Sequence, residues 1–268
     1  MHIKKVVVFS VLMLCAVFTA DARTSSDWLA AQRTGIAGLV LLESEKIGMT
    51  ELSHNLMVGY VDSDVELKNT GTGTVFGLGK MTELQAYRVG KLVVRALSQL
   101  PERTVDNLGI KYIIVGSYLK MDGDMIGGVP IVYSDMLLLS VIVNRKDSLY
   151  FQHSLLHELY HFMEIKFRTF EDPQWTGKFG TDYLNSYEGF LKHAPLGQGG
   201  PGFINKYART YDYEDRAELF AYMMLDTKRV ADYIRKNRDR ILDKKAQYLV
   251  EKARKYLNVD LKFDTGHW

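Results

Sequence analysis

Cysteine is almost missing from this sequence. Its one representative, Cys15, lies near the N-terminus, in a segment that reads as removable. The chain left after removal would hold no thiol, which excludes a cysteine nucleophile, an iron–sulfur cluster, a cysteine zinc site and a disulfide framework. An excess of one charge is missing too. Lys and Arg number 34 against 32 Asp and Glu, a formal net charge of +2, so no nucleic-acid partner is expected. Long apolar runs are lacking: the stretch Val6–Phe18 falls short of the ~20 residues a membrane span needs. It follows basic Lys4 and Lys5 and leads into Ala20-Asp21-Ala22, a small-x-small pattern. That order is the order of a signal peptide, here cleaved after Ala22, so the mature chain is expected to be secreted or periplasmic, without a membrane span. A lipid-anchor reading of Cys15 meets a large residue, Leu14, where small ones are usual. A dinucleotide loop is also lacking. The glycines at 71, 73 and 77 have the spacing GxGxxxG rather than GxGxxG and read as a turn or glycine-rich loop. There is no internal repeat and no low-complexity segment.

What is present is a chain of 268 residues, 47% of them hydrophobic, enough for one domain or two tightly packed subdomains. Residues 23–80 carry little pattern. Thr82 to Leu100 reads as an amphipathic helix, with Leu84, Tyr87, Leu92, Val93, Leu97 and Leu100 near helical spacing. Three strands are expected next, over Ile110–Gly116, Gly128–Tyr133 and Met136–Asn144. The last is nearly all apolar, as in a strand covered on both faces. Pro130 cannot donate to a ladder, which puts the middle strand at a sheet edge. A helix is expected from Ser148 to about Arg168, then a loop-rich stretch over 170–203. A second helix begins near Asp212, its plausible N-cap, and runs through Met224. A charged helical tail over 226–257 reads as a solvated face above an apolar stripe.

The chemistry lies in His157-Glu158-Leu159-Tyr160-His161. Positions i and i+4 of a helix share a face, so the two imidazoles can bind one ion, while Glu158 sits at the edge of the same site. Zinc lowers the pKa of a bound water, and a carboxylate beside it takes the proton as a carbonyl is attacked. The apolar neighbours Leu155, Leu156, Leu159, Phe162 and Ile165 would bury the far side of the helix. His153, one turn earlier, reads as structural. A catalytic zinc needs a third protein ligand. The pattern HExxHxxGxxH fails, because 164 is Glu and 167 is Phe. Glu214 is the candidate, with Glu218 one turn on accepting a hydrogen bond from a ligand imidazole. The alternative for this pair is a solvated acidic first turn favoured by the helix dipole. Against that stands the apolar run Leu219 to Met224.

HExxH followed by Tyr207-x6-Glu214-x3-Glu218 resembles the peptidase domain of anthrax toxin lethal factor and the small secreted Pro-Pro endopeptidases related to it. The resemblance covers about residues 105–225. It implies an α+β, zincin-like metallopeptidase fold: a small mixed sheet with an edge strand, an HExxH helix and a second, ligand-bearing helix. It implies one zinc ion per chain on His157, His161 and Glu214, with Glu158 as base. Tyr207 would donate its hydroxyl to the oxyanion, and Glu218 would support a ligand histidine. The partner would be a peptide or protein substrate, hydrolysed as by an endopeptidase. The organisation expected is a signal peptide over 1–22, an N-terminal region over 23–104 packed on the catalytic domain, and a zincin-like catalytic domain over 105–268 with its helical tail. Two alternatives stay open. One is a zincin using aspartate, with Asp182 as ligand in Gly180-Thr181-Asp182 before Tyr187 and Gly189. The other is a non-catalytic zinc-binding or adhesin-like protein on the same fold. The loop aromatics Trp175, Phe179, Tyr183 and Tyr187 read as a satellite core or as the lining of a substrate pocket.

Overall fold

The computed structural model describes residues 39–49, 55–68, 73–141, 148–179, 182–187 and 195–266. The expected signal peptide, the end of the third strand (142–144) and three residues of the aspartate alternative (180, 181 and 189) lie outside them.

The strands with the most apolar sequence take the middle of the larger sheet. These are β5 (Tyr112–Gly116) and β9 (Met136–Ser140), buried at every position. They pair in parallel, and β2 (Met57–Val61) runs parallel to β5 on its other side. β1 (Leu39–Leu41) and β8 (Gly128–Ile131) close the two edges antiparallel, giving the order β1-β2-β5-β9-β8. Pro130 therefore lies on an edge strand, where the donor it lacks is not needed by a second neighbour. A smaller antiparallel sheet has the order β3 (Val65–Lys68), β4 (Val75–Leu78), β6 (Leu119–Met121), β7 (Asp124–Met125).

Side chains alternate across the larger sheet. Ile113, Val115, Leu137 and Leu139 pack into one cluster with the helices. Tyr112, Ile114, Met136 and Leu138 pack into another with Val65, Phe76, Leu78 and Leu119 of the smaller sheet. The result is three layers: helices, larger sheet, smaller sheet. The continuous apolar sequence of β5 and β9 follows from cover on both faces. Strands on both sides of residue 104 share the larger sheet, because β1 and β2 come before it and β5, β8 and β9 after it.

A four-residue helix, α1 (Ser44–Ile47), precedes β2. α2 (Glu83–Leu97) starts at a capping box in which Thr82 and Gln85 satisfy each other's backbone N–H. It ends three residues before the expected Leu100. Its buried stripe is Ala86, Val89, Gly90, Val93, Ala96 and Leu97, whereas Leu84 points outward, 63% exposed. α3 (Thr104–Leu108) is short, and its Thr104 hydroxyl donates to the carbonyl of Leu257. The helix bearing the HExxH motif is α4 (Ser148–Lys166). The stretch expected to be loop contains α5 (Pro173–Phe179), whose first turn is capped by the Asp172 carboxylate.

In α6 (Asp212–Asn237) the N-cap position is Tyr211, whose side chain makes no cap bond, and Asp212 is instead the first helical residue. It is two helices joined at a kink, Asp226, where φ is −160° and ψ 79°. The Asp226 carboxylate accepts from the Arg229 N–H and so restarts the second half. The kink falls where the sequence divided the helix from its tail. α7 (Arg240–Leu257) follows after a left-handed Arg238, its N-cap Asp239 accepting from Leu242. Its apolar stripe includes Leu242, Ala246, Leu249 and Ala253, as expected of a tail packed along one face. Lys245 breaks the pattern because it is fully buried. Its ammonium donates to Asp215 Oδ2 at 2.6 Å and to the Gly202 carbonyl at 2.7 Å, and lies 4.3 Å from the Phe203 ring centre. α7 is thereby tied to the residue next to Glu214.

Removing one partner of a buried pair leaves the other charge uncompensated. Lys245→Met should cost ~3–5 kcal/mol of stability. Lys245→Met with Asp215→Leu should cost clearly less than the single change. Urea unfolding midpoints decide it, and a single variant as stable as the parent would show that the pair holds nothing.

Candidate metal centre

α4 is buried nearly all round. From Phe151 to Glu164 every residue is buried except Glu158, which keeps partial exposure. Within this stretch Glu158 alone is not fully enclosed. The edge strand is close to it: a Cβ added at Gly128 would stand 2.5 Å from Glu158 Cγ. Only the absence of a side chain there lets Glu158 lie against β8. Burial pushes the Glu158 carboxyl up to about 7; His157 lowers it, and the nearby carboxylates Glu214 and Glu218 raise it.

His157 and His161 project from successive turns of α4, and Glu214 from the first turn of α6. Their inner atoms form a triangle. His157 Nε2 lies 3.0 Å from His161 Nε2, and Glu214 Oε2 lies 3.0 Å from the first and 3.3 Å from the second. Three atoms bound to a tetrahedral zinc at ~2.0–2.1 Å stand about 3.3 Å apart. The triangle has the size of a metal site before any ion is considered. All three residues are buried, and among the described residues no other group of three or more His, Cys, Asp or Glu brings ligand atoms so close.

The outer nitrogens of the two histidines face carboxylates. His157 Nδ1 lies 2.9 Å from Glu218 Oε1. The other oxygen of Glu218 accepts from the Asn205 amide and lies 3.6 Å from His153 Nε2. Asn205 in turn accepts from the Ala208 N–H and so fixes a 3-10 turn, Tyr207–Arg209. That turn sets the Tyr207 ring 6.0 Å from the His157 ring. Burial, reinforced by three carboxylates, keeps the Tyr207 phenol protonated and able to donate. His161 Nδ1 lies 3.9 Å from Glu164 Oε2, while Glu164 Oε1 is held at 2.5 Å by buried Arg216. Arg216 also donates to Asp212 and to the Phe170 carbonyl. The fork of one guanidinium therefore joins α4, α6 and the loop between them.

Charge in this cluster is balanced internally. Burial alone would lower His157 and raise Glu214. Contact with Glu214 and Glu218 outweighs this for His157, which is raised, and contact with His157 and His161 holds Glu214 well below the usual carboxylate range. His161 is lowered, chiefly by burial and by its neighbour His157. A cation bound there would need the ligating nitrogens free of protons.

The fold has a solved counterpart. The structure matches that of a "putative zinc-binding metallo-peptidase" from Bacteroides caccae, with a TM-score of 0.51 and 15% sequence identity over 92% of this chain and 91% of that one. At such identity the likeness concerns the fold, and it extends over nearly the whole of both chains. No family model and no curated protein matches the sequence. The chain is a mixed α+β protein, shares its architecture with that structure, and carries a buried His157–His161–Glu214 group able to hold a metal ion.

Six of the candidate residues read from the sequence lie together. His157, His161 and Glu214 form the triangle, Glu158 and Tyr207 border it, and Glu218 backs His157. Asp182 is not among them: it is exposed and outside the cluster, and Glu214 fills the position the aspartate alternative would have given it. The loop aromatics divide. Trp175, Phe179 and Tyr183 pack in or against the core, while Tyr187 reaches Glu214. Sequence reasoning missed Asn205, Arg216 and the contact made by Tyr187. It used Glu164 only to reject another motif. Nothing local marks these residues, since each partner is distant along the chain or on another element.

Zinc titration against a competing chelator tests the triangle. Glu214→Ala should abolish tight binding, because two imidazoles leave the ion mostly to water. Glu218→Ala should weaken it ~10–100-fold, the usual range for a lost partner of a ligand histidine. Asp182→Ala should change nothing. Greater damage from Asp182→Ala than from Glu214→Ala would dismantle the assignment.

Proposed function

We propose that this chain is a zinc-dependent endopeptidase, exported after removal of residues 1–22, with His157, His161 and Glu214 as ligands of one zinc ion. The observation that carries this reading is the buried triangle of ligand atoms with a partly exposed carboxylate, Glu158, beside an open sheet edge. The likeness of the whole fold to a structure described as a zinc-binding metallo-peptidase supports it. The tyrosine and the two glutamates after the HExxH helix support membership of the lethal factor-like and Pro-Pro endopeptidase-like group, with its zincin-like arrangement. Export rests on the basic, apolar and small-x-small order at the N-terminus. No helix among the described residues is long and apolar enough to cross a membrane.

When bound, zinc supplies Lewis acidity that polarises a carbonyl and lowers the pKa of water. The chain's own residues do the rest. Glu158 accepts a proton; a carboxyl pushed up to about 7 is suited to general-base work near neutral pH. Tyr207 holds its proton and offers it as a hydrogen bond to the oxyanion of the tetrahedral intermediate. Glu218 and Asn205 keep the His157 ring and the Tyr207 turn in one rigid unit. Among the described residues β8 has one paired side, toward β9. Its outer side can take an extended peptide by main-chain hydrogen bonds, and Gly128 brings that peptide past Glu158.

The test is direct. The purified chain should hold zinc and hydrolyse casein, and a chelator should stop it. Glu158→Gln should keep the zinc and lose ~10²–10⁴-fold in turnover, the typical contribution of a general base. Zinc without hydrolysis in the parent protein would point to the non-catalytic alternative.

Gly128→Ala gives an independent check. The backbone there suits alanine, but the new methyl must displace Glu158. A displacement near 1 Å costs roughly 10²-fold in rate. Turnover should fall by about that much, with zinc affinity unchanged. Equal activity in the alanine variant would show that the base does not lie on β8.

A further inference from the structure

The two oxygens of Glu214 have different partners. Oε2 faces the two imidazole nitrogens, at 3.0 and 3.3 Å. Oε1 accepts a hydrogen bond from the Tyr187 hydroxyl at 2.6 Å. Behind that bond the Tyr213 hydroxyl lies 2.9 Å from the Tyr187 oxygen. The Tyr187 ring packs 4.7 Å from Tyr211 and 6.2 Å from Tyr207, centre to centre.

The segment that delivers Tyr187 is anchored. Tyr183 donates to Asp215 Oδ2 at 2.8 Å and receives the Trp175 indole N–H at 2.8 Å. The Leu184 and Asn185 N–H groups donate to the Arg209 and Thr210 carbonyls, both at 2.9 Å. These bonds fix residues 183–185 to the turn carrying Tyr207 and to the helix carrying Glu214. The phenol is therefore delivered to Oε1 by a built scaffold.

We propose that Tyr187 is a positioning residue that commits Glu214 to binding a metal through one oxygen. The inference rests on the zinc reading above. A carboxylate can grip an ion with one oxygen or with both. Gripping with both fills a coordination position that a hydrolytic site must keep open for water and substrate. Rotating Oε1 toward the ion would break the bond from Tyr187 and separate it from Tyr213. The phenol also draws charge from the carboxylate, which leaves a bound ion more electron-poor and so more acidic. Tyr187 does this from the rim of the site, 36% exposed.

The experiment compares the full chain with Tyr187→Phe and Tyr211→Phe, each loaded with zinc and, separately, with cobalt(II). The Tyr211 variant loses a phenol from the same aromatic group that makes no contact with Glu214. Zinc affinity is read by chelator competition, and coordination number by the intensity of the cobalt visible bands, which are strong at four ligands and weaker at five. Tyr187→Phe should weaken zinc ~10–100-fold, as loss of a ligand's outer partner does, and should dim the cobalt bands. Tyr211→Phe should do neither. Unchanged affinity and spectrum in Tyr187→Phe would overturn the proposal. So would a fall in affinity with an unchanged spectrum, because the phenol would then only steady its loop. A parent chain that takes up neither metal overturns the zinc reading itself, a result distinct from both.

Discussion

Three electron-rich atoms meet in a buried place, on residues only 6–7% exposed. Two imidazole nitrogens and a carboxylate oxygen at 3.0–3.3 Å repel one another unless a cation or a proton lies between them. Buried polar groups without such compensation are costly. The pairing of α4 with α6 is built around this point. A chain does not hold such an arrangement for packing alone, since apolar residues of the same size would fill the space at less expense. The fold keeps the cluster in place from outside, through Glu218 and Asn205 behind one histidine and through Glu164 and Arg216 beside the other.

The supporting charges obey one rule. Each buried carboxylate near the site has a dedicated donor. Arg216 serves Glu164, Lys245 serves Asp215, Asn205 serves Glu218, and Tyr187 serves Glu214. Arg216 and Lys245 are fully buried and pack near the Trp175 ring, 5.9 and 5.5 Å from its centre. Rigidity at the ligands follows, because turning any one of these side chains strands a charge in a medium of low dielectric. The one carboxylate of α4 left without such a donor is Glu158, which keeps its contact with solvent and a raised pKa.

Local patterns were readable from the sequence, and distant pairings were not. His157 and His161 are linked by helical geometry within five residues. Pro130 marked its strand as an edge through its missing donor. Glu214 and Glu218 stood out because an apolar run follows them in a helix. The smaller sheet went unnoticed because its strands are two to four residues long and mix polar with apolar positions. Leu84 entered the apolar stripe of α2 on spacing, yet it occupies the outer face. α5 was hidden in a loop-rich stretch because it spans only two turns. Tyr187, Asn205 and Arg216 have roles set by partners 27, 13 and 52 residues away. Only the folded chain brings them together.

The order of parts along the chain has a consequence for when the site can exist. Glu214 follows His161 by 53 residues, and Lys245, which ties down the neighbour of Glu214, follows a further 30 residues after Asp215. The Thr104 hydroxyl is not satisfied until Leu257 arrives, 153 residues later. During synthesis the two histidines emerge long before their third partner, and the helix bearing that partner is unbraced until α7 is made. A ribosome-bound chain is for that reason an incomplete chelator. The group able to hold an ion is braced only when the last helix has joined it through Lys245 and Asp215.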